Sequence, residues 1–265
     1  MKTCILIPAR MASARLPGKP MADIGGMPMI VRVWLQAVKA ALGPVAVATD
    51  SDEIKTAIET AGGLAILTPA ELPSGTDRIH HALGRFAEAA DTELVVNLQG
   101  DLPFIAPEDV RKASEIFTSA PLTPQAGRGS AVDIATLACP ITEEASWHKP
   151  HIVKAVFAGN GHAGGKALYF SRAPLPHGGH GHEANGIYGW EHIGIYAYRR
   201  AALERFVSLP PSALEQTEKL EQLRALEDGM TIHVATVAKA PMAVDTPDDL
   251  EQARRHAKGF IGENV

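Results

Sequence analysis

Cysteine is nearly absent: Cys4 and Cys139 are the only two in the chain, and both sit in apolar, strand-like runs. That excludes a disulfide framework and reads as two buried thiols of a reducing compartment. Long apolar runs are missing as well. No stretch approaches the ~20 residues of a membrane span, and one lysine followed by four apolar residues before Pro8 is too short for a secretory core. Net positive charge is missing too; at −5 the chain has no general attraction for nucleic acid or anionic lipid, so any anion must be held by local cations. No internal repeat occurs. These absences predict a cytoplasmic protein with no nucleic-acid or membrane partner. The hydrophobic content of 46% and charged content of 21% over 265 residues are those of a globular protein of one large domain or two small ones.

What is present starts with Pro8-Ala9-Arg10-Met11-Ala12-Ser13-Ala14-Arg15-Leu16-Pro17-Gly18-Lys19-Pro20, directly after the apolar run Cys4-Ile5-Leu6-Ile7. Ligands of open α/β sheets bind off the carboxyl ends of strands. Arg10, Arg15 and Lys19 on such a loop suit a polyphosphate; taken alone, they are equally readable as solvated surface charge. The loop is not a P-loop, because Pro20 follows Gly18-Lys19 and Ser13 stands where the first glycine belongs. Pro17 and Pro20 remove two amide donors, so phosphate would be held mainly by side chains on a stiffened loop.

The first half alternates. Strands are predicted over 4–7, 45–49, 64–67 and 93–98, and helices over 29–42, 52–61, 77–90 and 107–119, with Ser51 as a helix N-cap and Pro107 in a first turn. This implies a mostly parallel sheet covered by helices. After a Pro- and Gly-rich stretch at 122–130, strands at 132–141, 152–157, 166–170 and 193–198 follow with little helix between them. A strand-rich, largely antiparallel subdomain at about 132–212 is the expectation, within a single domain spanning 1–265. Helices resume at 201, then a strand at 231–237 and a last helix from Pro247. The Gly/His tract at 177–183 is the one low-complexity segment; glycines on both sides leave its histidines no defined metal geometry.

Asp101, after Val95-Val96-Asn97-Leu98-Gln99-Gly100, and Asp245, in Val244-Asp245-Thr246-Pro247, are carboxylates at strand ends. Each has a structural reading, as a turn residue or as the cap of the Pro247 helix. Together they also offer the one or two carboxylates that Mg2+ takes before phosphate and water complete its octahedron. Ser74-Gly75-Thr76-Asp77-Arg78 is a loop-to-helix junction, and Arg78 in a first helical turn opposes the helix dipole, which calls for a ligand or an acidic partner. Glu218 and Gln222, one turn apart in 214–226, could serve sugar hydroxyls or form a solvated face. His192 and Arg172 flank strand-like segments and are readable as core or edge residues.

In this order these segments resemble the CMP-Kdo synthetase (3-deoxy-manno-octulosonate cytidylyltransferase) family over essentially the whole chain. The similarity includes Ala167-Leu168-Tyr169-Phe170-Ser171-Arg172, His192-Ile193-Gly194-Ile195-Tyr196 and Leu220-Glu221-Gln222-Leu223-Arg224. The resemblance implies an α/β, Rossmann-like nucleotidyltransferase fold, a homodimer, and transfer of CMP from CTP to Kdo for lipopolysaccharide biosynthesis. It assigns Pro8, Ala9, Arg10, Arg15, Lys19, Ser74, Arg78 and Gln99 to the nucleotide, and Asp101 and Asp245 to Mg2+. Arg172, His192, Tyr196, Glu221 and Gln222 fall to the sugar, and Arg10, Lys19, Asp101 and Asp245 carry catalysis. Leu102 stands where the family commonly has a glutamate, and Glu191 where a basic residue commonly precedes the histidine. Another acidic sugar as acceptor, or a nucleotide-binding module without turnover, are the alternatives; a glycosyltransferase is disfavoured because Asp101-Leu102-Pro103 lacks an Asp-x-Asp motif.

Overall fold

The computed structural model describes residues 1–13, 15–119, 132–159, 164–178 and 186–262. The stretch at 122–130, with His180 and His182 of the Gly/His tract, lies outside the described residues. The chain divides into two compact units: Met1–Arg111 with Pro241–Val265, and Lys112–Ala240. The strand-rich segment expected at about 132–212 falls inside the second unit, which begins earlier and ends later.

In the first unit, β1 (Thr3–Ala9) is buried along its whole length, as befits a strand covered on both faces. β2 (Val45–Thr49) pairs parallel to it, with Ile5 opposite Val45. β3 (Leu64–Leu67) continues the sheet parallel to β2. β4 (Leu94–Asn97) lies parallel on the other side of β1, Leu6 opposite Asn97. Three helices connect these strands. α1 (Met29–Lys39) buries Met29, Ile30, Val33, Trp34 and Ala37, a helical-period stripe. α2 (Asp52–Thr60) and α3 (Gly75–Leu83) start at Ser51 and Ser74, whose hydroxyls accept from Ile54 N and Asp77 N. Two helices end earlier than the sequence predicts. α1 stops before Ala41, at φ 53°, and α3 ends at Leu83, with a separate 3-10 turn at Ala87–Ala89 replacing its predicted last turn. α4 (Pro107–Ser119) begins in this unit. The closing helix, Pro247–Gly262, returns to it and packs Leu250, Ala253 and Ala257 against Ile24, Met29 and Val244, with Leu16 and Phe104 at the edge of the cluster.

The second unit is built on β5 (Ile134–Ile141), followed by a single turn, α5 (Glu144–Trp147). β6 (Lys154–Phe157), β7 (Gly165–Ser171) and β8 (Gly189–Arg199) come next, then α6 (Arg200–Ser208), α7 (Ala213–Glu218), α8 (Gln222–Glu227) and β9 (Ile232–Thr236). The strands run β8-β5-β9-β7-β6. Every pairing is antiparallel except β5 with β9, and β6 also meets β8 at Lys154 opposite Glu191. The mixed α/β class and the strand-rich second part match the sequence reading. The apolar stripe in 214–226 does not form one helix: Lys219, at φ 58°, separates α7 from α8. Glu218 and Gln222 therefore lie on different helices, not one turn apart on the same one.

Candidate active site

The first unit carries a cleft of about 390 Å3 at the carboxyl ends of β1 and β4, lined by every residue that the sequence assigns to nucleotide or metal. The cation loop forms one wall. Gly18, at φ 68°, takes the left-handed turn that aims Lys19 inward, and the buried Pro20 and the packed Leu16 anchor the loop to the core. Gly100 is dictated by crowding. A Cβ there would sit 2.9 Å from the carbonyl oxygen of Pro8, so only glycine lets the end of β4 approach the end of β1.

Asp101 and Asp245, far apart in sequence, are brought together through the backbone: Val244 N donates to Asp101 O at 3.0 Å. Lys19 Nζ then lies 3.0 Å from Asp101 Oδ2 and 2.8 Å from Asp245 Oδ1, and Arg15 Nη2 is 3.1 Å from Asp245 Oδ2. Burial pushes the Lys19 ammonium down, but Asp101 and Asp245 together outweigh it and its pKa rises above the ordinary lysine value. The cap reading of Asp245 fails. Thr246 and Asp249 cap the closing helix instead: Asp249 Oδ2 accepts from Thr246 N and Asp245 N, and Asp249 N donates to Thr246 Oγ1. That leaves the Asp245 carboxylate to the cleft.

Two carboxylates that already share one cation fit a hard divalent ion such as Mg2+. Among the described residues no cluster of three or more His, Cys, Asp or Glu could hold a metal. Asp101 and Asp245 would thus supply one or two ligands and leave the rest to phosphate and water, the pattern Mg2+ favours. Leu102, 5% exposed, is a core residue and offers no third carboxylate.

Arg78 has found an acidic partner. It is 2% exposed, its Nη2 donates to Asp50 Oδ2 at 3.0 Å and its Nη1 to Thr68 Oγ1 at 2.5 Å. Arg78 is among the residues lining the cleft, as the cationic half of a nearly buried ion pair. Asp50 belongs to Val47-Ala48-Thr49-Asp50, one of the segments that carry the family resemblance, but the sequence reading assigns it no role. Ser74 Oγ donates to Asp77 Oδ2 while accepting the cap bond, and Gln99 Nε2 donates to Asn97 Oδ1.

The sugar candidates all lie in the second unit. Between Thr136 and Leu137 of β5 the register with β8 slips, so Thr136 faces Tyr196 and Leu137 faces Ile193. The Thr136 hydroxyl fills the resulting bulge, 2.8 Å from Ile195 O and 3.2 Å from Ile193 O, with His192 Nε2 at 2.9 Å. The single hydroxyl hydrogen serves one of these acceptors at a time, and whether His192 Nε2 donates to Thr136 or accepts from it follows from the imidazole tautomer. Burial pushes the His192 pKa down to about 3. Its ring packs against Phe170 and Tyr196, with centroids at 4.9 and 5.4 Å. Burial first, then Tyr198 and Glu221, push the Tyr196 phenol well above its ordinary pKa. Gln222 is 6% exposed, and its Nε2 has no hydrogen-bond partner. Arg172 is differently employed. Its Nε, Nη1 and Nη2 donate to Glu218 O, Pro150 O and Lys219 O, pinning the end of α7. Glu218 in turn accepts from Ser171 Oγ and Arg172 N. Glu191 faces Lys154 and Cys139, and burial raises its pKa.

A cytidylyltransferase family model matches residues 4–232. The 3-deoxy-manno-octulosonate cytidylyltransferase of Rhodospirillum rubrum is 50% identical, over 94% of this chain and 93% of its own. That of Bradyrhizobium sp. strain ORS 278 is 54% identical over 96% of each. The solved structure of CMP:2-keto-3-deoxy-manno-octonic acid synthetase complexed with CTP superposes over the full length of both chains with a TM-score of 0.84 and 38% identity. Its fold, its cleft and these relatives place the chain in the 3-deoxy-manno-octulosonate cytidylyltransferase family.

Proposed function

We propose that this protein joins CMP from CTP to the anomeric hydroxyl of 3-deoxy-manno-octulosonate, releasing diphosphate. The observation that carries this reading is the convergence of Asp101 and Asp245 on Lys19 beside Arg10 and Arg15, in a cleft at the strand ends. The CTP printed for the solved relative supports the nucleotide, and the names of the curated relatives support the acceptor.

In the reaction the sugar hydroxyl oxygen bonds to the α-phosphorus, its proton passing to solvent, as the bond to diphosphate breaks, so positioning and charge stabilisation carry most of the catalysis. Arg10, Arg15 and Lys19 hold the triphosphate and take up charge on the departing diphosphate. Ser74, Arg78 and Gln99 hold the cytidine, with Arg78 fixed in place by Asp50. Asp101 and Asp245 would hold Mg2+, which would supply Lewis-acid stabilisation of the phosphoryl charge. His192 orients the sugar but, at a pKa of about 3, is too weak a base to take the hydroxyl proton. Tyr196, Glu221 and Gln222 hold sugar hydroxyls, and Arg172 fixes the turn that presents Glu221 and Gln222. Among the described residues no helix is long and apolar enough to cross a membrane; the reading places the enzyme in the cytoplasm as a homodimer supplying lipopolysaccharide synthesis.

The test is diphosphate release with CTP and a panel of acidic sugars. Turnover confined to Kdo is expected, and preference for sialic acid or an amino analogue would replace the acceptor. Asp101→Asn and Asp245→Asn should each abolish release; near-normal turnover in either sinks the metal assignment.

A further inference from the structure

Asn97 is anomalous for its place. It ends β4, otherwise Leu94-Val95-Val96, and is 1% exposed. A buried amide costs free energy unless its hydrogen bonds are made, yet Asn97 Nδ2 has no partner. The bond it does make is at Oδ1, which accepts from Gln99 Nε2 at 3.1 Å. That bond ties Asn97, at the end of β4, to Gln99 two residues on, and Gln99 lines the cleft. With one Nε2 hydrogen given to Asn97, the amide is held with its carbonyl oxygen at the opposite end, toward Gly75 of the cleft wall. A Cβ added at Gly75 would sit 3.9 Å from Gln99 Oε1.

We propose that Asn97 is a positioning residue for nucleotide selection: it fixes the rotation of the Gln99 amide so that an acceptor faces the nucleoside, selecting a ligand group that donates. In cytidine that chemistry comes from the 4-amino group of the base or from a ribose hydroxyl. Uracil offers a carbonyl in place of the amine, and two acceptors face to face lose the bond and leave a desolvated oxygen unpaired. The inference rests on the nucleotide reading of the cleft and adds to it a residue that never touches the ligand.

The experiment is calorimetric titration of CTP, UTP and dCTP into wild type, Asn97→Leu and Asn97→Asp, with thermal melts alongside. The leucine fills the space and accepts nothing; the aspartate keeps the acceptor. Asn97→Leu is expected to lose about tenfold or more in CTP affinity, the worth of one hydrogen bond, while Asn97→Asp keeps the wild-type ranking. If the amine is read, UTP affinity stays unchanged in Asn97→Leu and the CTP preference disappears; if a hydroxyl is read, dCTP is the nucleotide left unaffected. Equal loss for all three nucleotides, or no loss, overturns the proposal, because a merely structural asparagine would lower melting without changing the ranking. Should Asn97→Leu fail to fold, Asn97→Ser, whose hydroxyl stops short of Gln99, must show the same selective loss. Failure of the wild type to bind CTP at all removes the nucleotide reading, and this proposal with it.

Discussion

On the proposed reading, Lys19 would serve two sets of partners in turn. It is held 2.8–3.0 Å from Asp245 and Asp101, and under that proposal a triphosphate and a metal would compete for the same groups. Lys19→Met should therefore bind Mn2+ more tightly than the wild type without nucleotide, read by electron paramagnetic resonance, while losing about a hundredfold or more in kcat/KM, the scale of one lost electrostatic contact to the transition state. His192 makes a different prediction. Its folded pKa of about 3 lies below the unfolded value near 6.5, so the unfolded chain binds the proton first. The stability it contributes is complete above about pH 6.5 and is lost as pH falls toward 3. The acid limb of a melting-temperature profile should flatten in His192→Gln, and an unchanged slope between pH 6.5 and 4 would show that the ring is not held neutral. Arg78 and Asp50 form a nearly buried pair, with side chains 3% and 14% exposed. Arg78→Met, which strands the carboxylate, should cost about 3–5 kcal/mol in chemical denaturation.

At the scale of elements, the site depends on where strands stop and helices start. The Thr246–Asp249 cap starts the closing helix one residue after Asp245, so the cap and the carboxylate occupy neighbouring positions without competing. Thr246→Ala should cost about 1 kcal/mol of stability and weaken metal binding by loosening Asp245; a stability loss with unaltered metal affinity would separate the two roles. Helix ends were the least legible feature. The apolar stripe in 214–226 has helical spacing, and nothing local foretells the break. Lys219 adopts a left-handed conformation in a turn held by Arg172, just after β7, through Glu218 O and Lys219 O. Propensity is a weak prior against such tertiary contacts.

For the whole molecule, ligand linkage is the direct check. A ligand that binds only the folded chain at about 100 times its Kd adds about 2.7 kcal/mol, so CTP should raise the melting temperature well above GTP at equal concentration. Equal shifts would point to a triphosphate site without base recognition.

The alternation of apolar runs and helical stripes was enough to assign the α/β class, the parallel first sheet and the strand-rich second part, because burial on one or two faces writes its period directly into the chain. The cation loop was legible for the same reason: three charges directly after a buried strand have few places to go. What each charge touches was not. Asp245 and Thr246 have the same local claim to the helix cap, and only the contact of Val244 N with Asp101 O decides that the aspartate turns to Lys19. Arg78 called for a partner, and the register of β2 against β3 supplied Asp50 and Thr68. Periodicity is a local property, fixed by which side of an element faces the core. Pairing of charges across 82 or 226 residues of chain is decided only when the strands are laid side by side.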